Sequence, residues 1–303
     1  MADKYGGSAL WETYHRTRIT VDASRDLSGF RSGDVNFKLG LWDPGTNGVR
    51  YLKSLIYNLA ERLDEADWAR LHRIRNRRTG RPIEVRTHGE PVCMDYLQAV
   101  LELGFMSRHV VLDGAAVLEV GAGFGRTCHA VLANHDVAEY CIVDLDNSLE
   151  LARAYLRQAL DDEDFMKVRL MRAADLEQAL GESRFDLCVN IDSFAEMDPD
   201  IVRDYLRFIA GHCRHLYVKN PVGKYFDPSL DGHAGGRELV AMALSTGLLR
   251  DVIDIHDSDA VREQSTAFVS AYRPAPGWAR IADAWAPPWS YYWQALYRAD
   301  TDE

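Results

Sequence analysis

The chain has 303 residues and a formal net charge of -11 at pH 7, with 47% hydrophobic and 27% charged residues. That balance is the one an ordinary globular protein has and excludes the disordered and fibrous classes. The acidity argues against a nucleic-acid partner, whose phosphates are held by clustered Lys and Arg. With no export signal and no run of ~18 apolar residues, the expectation is a cytoplasmic protein without a membrane span that works on a small molecule.

In chain order, roughly the first 35 residues are polar and punctuated by glycine, as in a loosely ordered or lid-like arm. From Gly48 to Asn76 apolar residues recur at spacings of three and four, the period of amphipathic helices. A further helix is predicted over 91–103, with Pro91 near its start and Gly104 just past its end. After Gly114 short apolar runs alternate with helical stretches, which predicts βαβ units and a doubly wound α/β domain. Strands are expected at 116–120, 140–144, 168–171, 185–191, 216–219, 252–256 and 266–272. Helices are expected at 126–133, 148–160, 199–210 and 237–246. The last two strands lack a crossover helix between them and so predict an antiparallel pair in a mostly parallel seven-stranded sheet. The domain limits follow: 1–113 helical and lid-like, 114–275 the α/β domain, and 276–303 an aromatic tail that packs on the body or forms a dimer contact. The five cysteines form no CxxC pair and read as buried thiols.

The chemistry is concentrated after the first of these strands. Gly121, Gly123 and Gly125 follow it and open a helix, putting bare backbone where a ligand must approach closely and a helix N-terminus behind it. Asp144 ends the next strand and is placed to accept hydrogen bonds from ribose hydroxyls. Arg126 stands where a dinucleotide fingerprint needs its third small residue. Glu119, two residues before the first glycine, would repel a pyrophosphate but suits a cationic amino group. Both details favour S-adenosylmethionine over a nicotinamide dinucleotide. Asp175 is placed either to meet an adenine amino group or to cap the helix after it.

The stretch 117–160, VLEVGAGFGRTCHAVLANHDVAEYCIVDLDNSLELARAYLRQAL, resembles the sugar O-methyltransferases of bacterial natural-product pathways, as does Ser193-Phe194-Ala195-Glu196-Met197. The resemblance covers roughly residues 85–225. It implies a Rossmann-like class I methyltransferase in which Glu119, Gly121, Gly123, Gly125 and Asp144 bind the cofactor, joined by Ala122, Leu145 and Asn190, while 193–197 lines the reaction centre. Asp146 departs from the family, which usually has Pro after the Asp-Leu pair.

Methyl transfer needs an aligned acceptor and, for an alcohol, a base within hydrogen-bonding reach. Asp192, Glu196 and His233 are the candidates, with His88 and His256 behind them. Asp192 and Glu196 also have structural readings, as a helix cap and a buried carboxylate. Asn220, Lys224 and Tyr225 are substrate contacts by location only. No metal is expected. Seven arginines between Arg70 and Arg86 suit an oxyanion, or else a solvated face paired with surface acids. The rival readings are N- or C-methylation, a nicotinamide-dependent oxidoreductase, and a cofactor-binding protein without catalysis.

Overall fold

A computed structural model describes residues 44–226 and 236–300, together with Ser8, Leu10, Thr13 and Arg16. Apart from those four residues the N-terminal arm lies outside this range, as does His233. The chain divides into two compact units, Met1–Asn58 and Leu59–Glu303, and helix α1 (Pro44–Ala60) spans the limit between them.

The second unit begins with α2 (Glu65–Arg73), started by Asp64, whose side chain accepts from the Asp67 N–H. A hairpin follows, β1 (Glu84–Thr87) and β2 (Glu90–Cys93), turned by His88 and Gly89, both at positive φ. Then α3 (Met94–Ser107) enters the core. The helix expected over 91–103 therefore starts later and runs on through Gly104. That glycine sits where a Cβ would meet the Arg70 guanidinium at 2.9 Å, so here it serves helix-to-helix approach and not termination.

The α/β body contains β3 (Ala116–Val120), α4 (Arg126–Leu132), β4 (Glu139–Asp144), α5 (Asp146–Ala159), α6 (Asp162–Met166), β5 (Val168–Arg172) and α7 (Leu176–Leu180). After these come β6 (Phe185–Ile191), α8 (Pro199–His212), β7 (Cys213–Pro221), α9 (Gly236–Ser245), α10 (Ser258–Ala271), β8 (Trp278–Trp285) and β9 (Tyr292–Ala299). Strand order is β5-β4-β3-β6-β7-β9-β8, all parallel except β9, which is antiparallel to both its neighbours. The first five strands have the order of a Rossmann-like half-sheet continued across its switch point.

Alternation along the strands buries both faces. Leu118, Val120, Cys141 and Val143 pack with Val202, Leu206 and Ile209 of α8, whereas Val117, Ile142 and Val189 pack with Val131 of α4 and Leu156 of α5. Each such side chain contributes about 1.5–3 kcal/mol of burial. All five cysteines are free and buried.

The sheet has its expected seven strands and one reversed strand, but two of the strands come from other residues. Residues 266–271 are the last part of α10 and Tyr272 is its C-cap, despite their β-branched and aromatic content. Asp257 caps that helix, and Val261, Ser265 and Phe268 are buried at spacings of four and three. Residues 252–256 make a single bridge, Val252 to Lys224. The two missing strands are β8 and β9, from the aromatic tail, so the limit expected at 275 falls ahead of two strands of the same sheet.

Candidate active site

The crevice at the carboxyl ends of β3 and β6 is the topological switch point, where open α/β sheets bind ligands. A cleft of about 430 Å³ lies there, walled by Glu119, the 121–124 loop, Arg126, Asp192 and Tyr292. Gly121, Gly123 and Gly125 all lie at positive φ, at 75, 57 and 90°. Their reasons differ. A Cβ on Gly121 would lie 2.1 Å from Ser193 Oγ and one on Gly125 would press on Leu156 at 3.0 Å, whereas one on Gly123 meets nothing within 4 Å. Gly123 is therefore the loop's open face, left bare without any need of packing.

Asp144, at the end of β4, holds this loop from outside: its carboxylate accepts from the N–H of Gly123 (3.0 Å) and of Leu145 (2.7 Å). The Leu145 side chain is exposed and Ala122 lines the cleft. Asn190 is wholly buried and does not reach the cleft. It donates to Val120 O (3.0 Å) and Ser193 Oγ (2.6 Å) and accepts from Asn220 (2.9 Å), tying the ends of β3, β6 and β7 together. Asp175 is held by Arg172 at 2.8 and 3.1 Å, which lowers its pKa, and its side chain makes no cap.

Glu119 is buried, accepts from the Tyr140 hydroxyl at 2.8 Å, and is pushed by burial up to about 7. Beside it runs a buried ionic chain. Glu102, from α3, accepts from Arg126 and from Lys219, both at 2.7 Å. Burial alone would raise the Glu102 carboxyl, but Arg126 and Lys219 outweigh it and hold the pKa low. Lys219 also donates to Gln98 (2.9 Å) and stands 5.6 Å from the centre of the Tyr292 ring. Two cations around one carboxylate leave an excess positive charge facing Asp192.

Asp192 carries the most constrained backbone of the site, with φ 67° and ψ -41°. Its Oδ1 is buried without a hydrogen-bond partner, and it caps nothing. Burial raises its pKa, while Lys219 and the Tyr292 hydroxyl work in the opposite direction. Glu196 is exposed and not a buried structural carboxylate.

A second cleft of about 590 Å³ adjoins the first. The two share Asp192, Glu196, Tyr291 and Tyr292. Lys224 and Tyr225 line the second cleft, as does the apolar side of α9. Lys224 donates to Ala195 O (2.8 Å) and Thr246 Oγ1 (3.0 Å), and burial lowers its pKa. His256 lies 3.4 Å from Ser290 and His88 3.3 Å from Glu61, both outside the two clefts. Among the arginines of the 70–86 segment, Arg70, Arg77 and Arg78 pair with Asp67, Glu90 and Glu84 at 2.6–2.7 Å, while Arg73 reaches Asn134 and Arg86 donates to Gly89 O. Among the described residues no group of three or more His, Cys, Asp or Glu side chains is arranged to hold a metal, and no helix is long and apolar enough to cross a membrane.

Glu102, Lys219, Gln98 and Tyr292 were not among the residues picked out from the sequence as site candidates. A single charge inside each of two apolar runs, Ala99–Phe105 and Leu216–Val218 with Lys219, was the available signal.

No family model matches the chain, and no curated protein matches it by sequence. Among solved structures it is similar to the methyltransferase domain of bacterial CtHen1, with a TM-score of 0.48 and 12% identity over 67% of this chain and 97% of that one. It is similar to an S-adenosylmethionine-dependent methyltransferase from Clostridium acetobutylicum, with a TM-score of 0.43 and 11% identity over 67% and 91%. It is also similar to the mitomycin 7-O-methyltransferase MmcR, with a TM-score of 0.43 and 15% identity over 97% and 76%. The functional reading rests on the site itself.

Proposed function

We propose that this chain transfers a methyl group from S-adenosylmethionine to a hydroxyl of a small natural product, the acceptor class the sequence resemblance implies. The observation behind this reading is the orphaned Asp192 Oδ1 on the wall that the two clefts share. A buried acceptor atom left unpaired costs about 1–3 kcal/mol, and a donor arriving with a substrate removes that cost.

The first cleft fits the cofactor. The open face of Gly123 admits a ligand against the backbone, and Glu119 offers a carboxylate to an ammonium group. Asp144 lies at the loop's outer edge, where ribose hydroxyls can take over its hydrogen bonds. When bound, the cofactor supplies an electrophilic methyl carbon, so that an oxygen–carbon bond forms as the carbon–sulfur bond breaks and its electron pair stays on sulfur. Asp192 orients the acceptor hydroxyl and receives its proton. A carboxyl raised by burial is better matched to that task near neutral pH than an ordinary one. Lys219 and the Tyr292 hydroxyl favour the ionised form of Asp192 against the effect of burial. Tyr291, Tyr292 and Trp289 line the first cleft, where their rings would exclude water once a ligand packs against them.

Calorimetric titration with S-adenosylhomocysteine and, in parallel, NADH tests the reading. Micromolar binding of the former is expected, weakened about 100-fold in Asp144→Ala, in line with the loss of a charge-assisted hydrogen-bond pair. Preference for NADH overturns it.

A further inference from the structure

The second cleft has a chemistry of its own. Helix α9 has no buried residue, and the side it turns to the cleft is aliphatic. Leu239 and Met242 on that side are each 53% exposed, an apolar wall facing open space. Opposite stand Tyr225 and Tyr291, with ring centroids 5.3 Å apart and planes at 65°, which makes an aromatic corner.

Two of the polar groups on these walls are already engaged, whereas the Glu196 carboxylate is exposed. Lys224 bonds Ala195 O and Thr246, and Thr246 itself donates to Ala195 O (2.8 Å). Among the described residues the buried side-chain atoms without a partner are Asp192 Oδ1, Arg77 Nε and the Tyr272 hydroxyl, and of these Asp192 Oδ1 lies at the seam with the first cleft. A sugar ring brings several hydroxyls, and each one buried without a partner costs about 1–3 kcal/mol. A flat apolar ring with one hydroxyl toward the seam needs one buried acceptor atom, which Asp192 Oδ1 supplies, and no polar group along the aliphatic side of α9. Its volume of about 590 Å³ also suits a fused-ring molecule, within the roughly 300–1,000 Å³ of small-molecule sites.

We infer that the second cleft binds a flat, largely apolar aromatic alcohol, its ring between α9 and the Tyr225–Tyr291 corner and its hydroxyl on Asp192, in preference to a sugar. The inference rests on the methyl-transfer reading and narrows its acceptor.

The experiment uses the full chain saturated with S-adenosylhomocysteine, probed by saturation-transfer NMR with 6,7-dihydroxycoumarin and with methyl glucoside. The coumarin is expected to bind and the glucoside not. In Met242→Asp, a substitution at an exposed position, coumarin affinity is expected to fall at least about tenfold, with S-adenosylhomocysteine affinity unchanged. Binding of the glucoside, binding of neither probe, or an unchanged coumarin affinity in Met242→Asp overturns the inference. Failure of S-adenosylhomocysteine itself to bind is a different result: it removes the methyl-transfer reading, and the inference goes with it.

Discussion

The two clefts share one wall and are built on opposite principles. The first is lined by strand ends and a glycine loop, backed by buried charges whose positions are fixed by paired hydrogen bonds. The second is closed by a helix that buries none of its own side chains. A site for a constant ligand can be held rigidly by the sheet, because Glu119 and Asp144 stand on its strands and the 121–125 loop is tied to their ends. A site that selects among acceptors is placed on an element whose side chains the fold does not need.

Breaking this contrast begins at Lys219. Replacing it by Met leaves Glu102 buried with one partner in place of two, and removing one member of a buried ionic pair costs about 3–5 kcal/mol. Urea unfolding monitored by tryptophan fluorescence measures it; a loss below about 1 kcal/mol, the range of exposed pairs, refutes the rigid-wall picture.

Next in size is Asp192→Asn, expected to lower kcat about 100-fold, the lower range for a positioned base. Cofactor affinity, read by calorimetry, is expected to stay constant. A parallel fall in cofactor affinity would put Asp192 in the first cleft's machinery alone.

Glu119 sharpens the comparison through pH. Its folded value of about 7 lies above the ordinary 4.5 because burial disfavours the charged form. The fold therefore binds its proton more tightly than the unfolded chain, and this group's contribution to stability falls as pH rises from 4.5 through 7. A cationic cofactor favours the ionised form, so its affinity should rise about tenfold from pH 6 to pH 8. Glu119→Gln is expected to flatten that slope.

The smallest effect belongs to the second cleft. Met242→Ala, at a half-exposed position, should change stability by no more than about 0.5 kcal/mol, while weakening acceptor binding. A large stability loss would show that α9 is part of the core after all.

The same division explains what the sequence made legible. Strands β3 and β6 were read to the residue, because an apolar run that ends in Gly121 or in Asp192 is a local signal. The cleft's glycines and Glu119 belong to one continuous segment and could be read together. By contrast β8 is rich in Ala and carries Arg280 and Asp283, and its strand state depends on pairing with β9, which in turn needs β7 some 75 residues earlier, as Tyr217 and Gln294 show with a separation of 77. The run 266–272 has strand-like residues, but Phe268 and the preceding helical turns override them. The contact of Lys219 with Glu102 spans 117 residues, and only the fold reveals that two isolated charges in apolar runs neutralise each other.

The crossing of Gly121 and Ser193 bears on how this sequence can drift. Ser193 Oγ donates to Val120 O at 3.0 Å and fills the space a side chain at 121 would need. Emptying position 193 first would remove the clash, yet Gly121 at φ 75° would still penalise any L side chain by about 1 kcal/mol or more. Two independent barriers stand at one position, so no single compensating change reopens it. Descendants of this chain can vary along α9 without loss of the fold while remaining locked at 121.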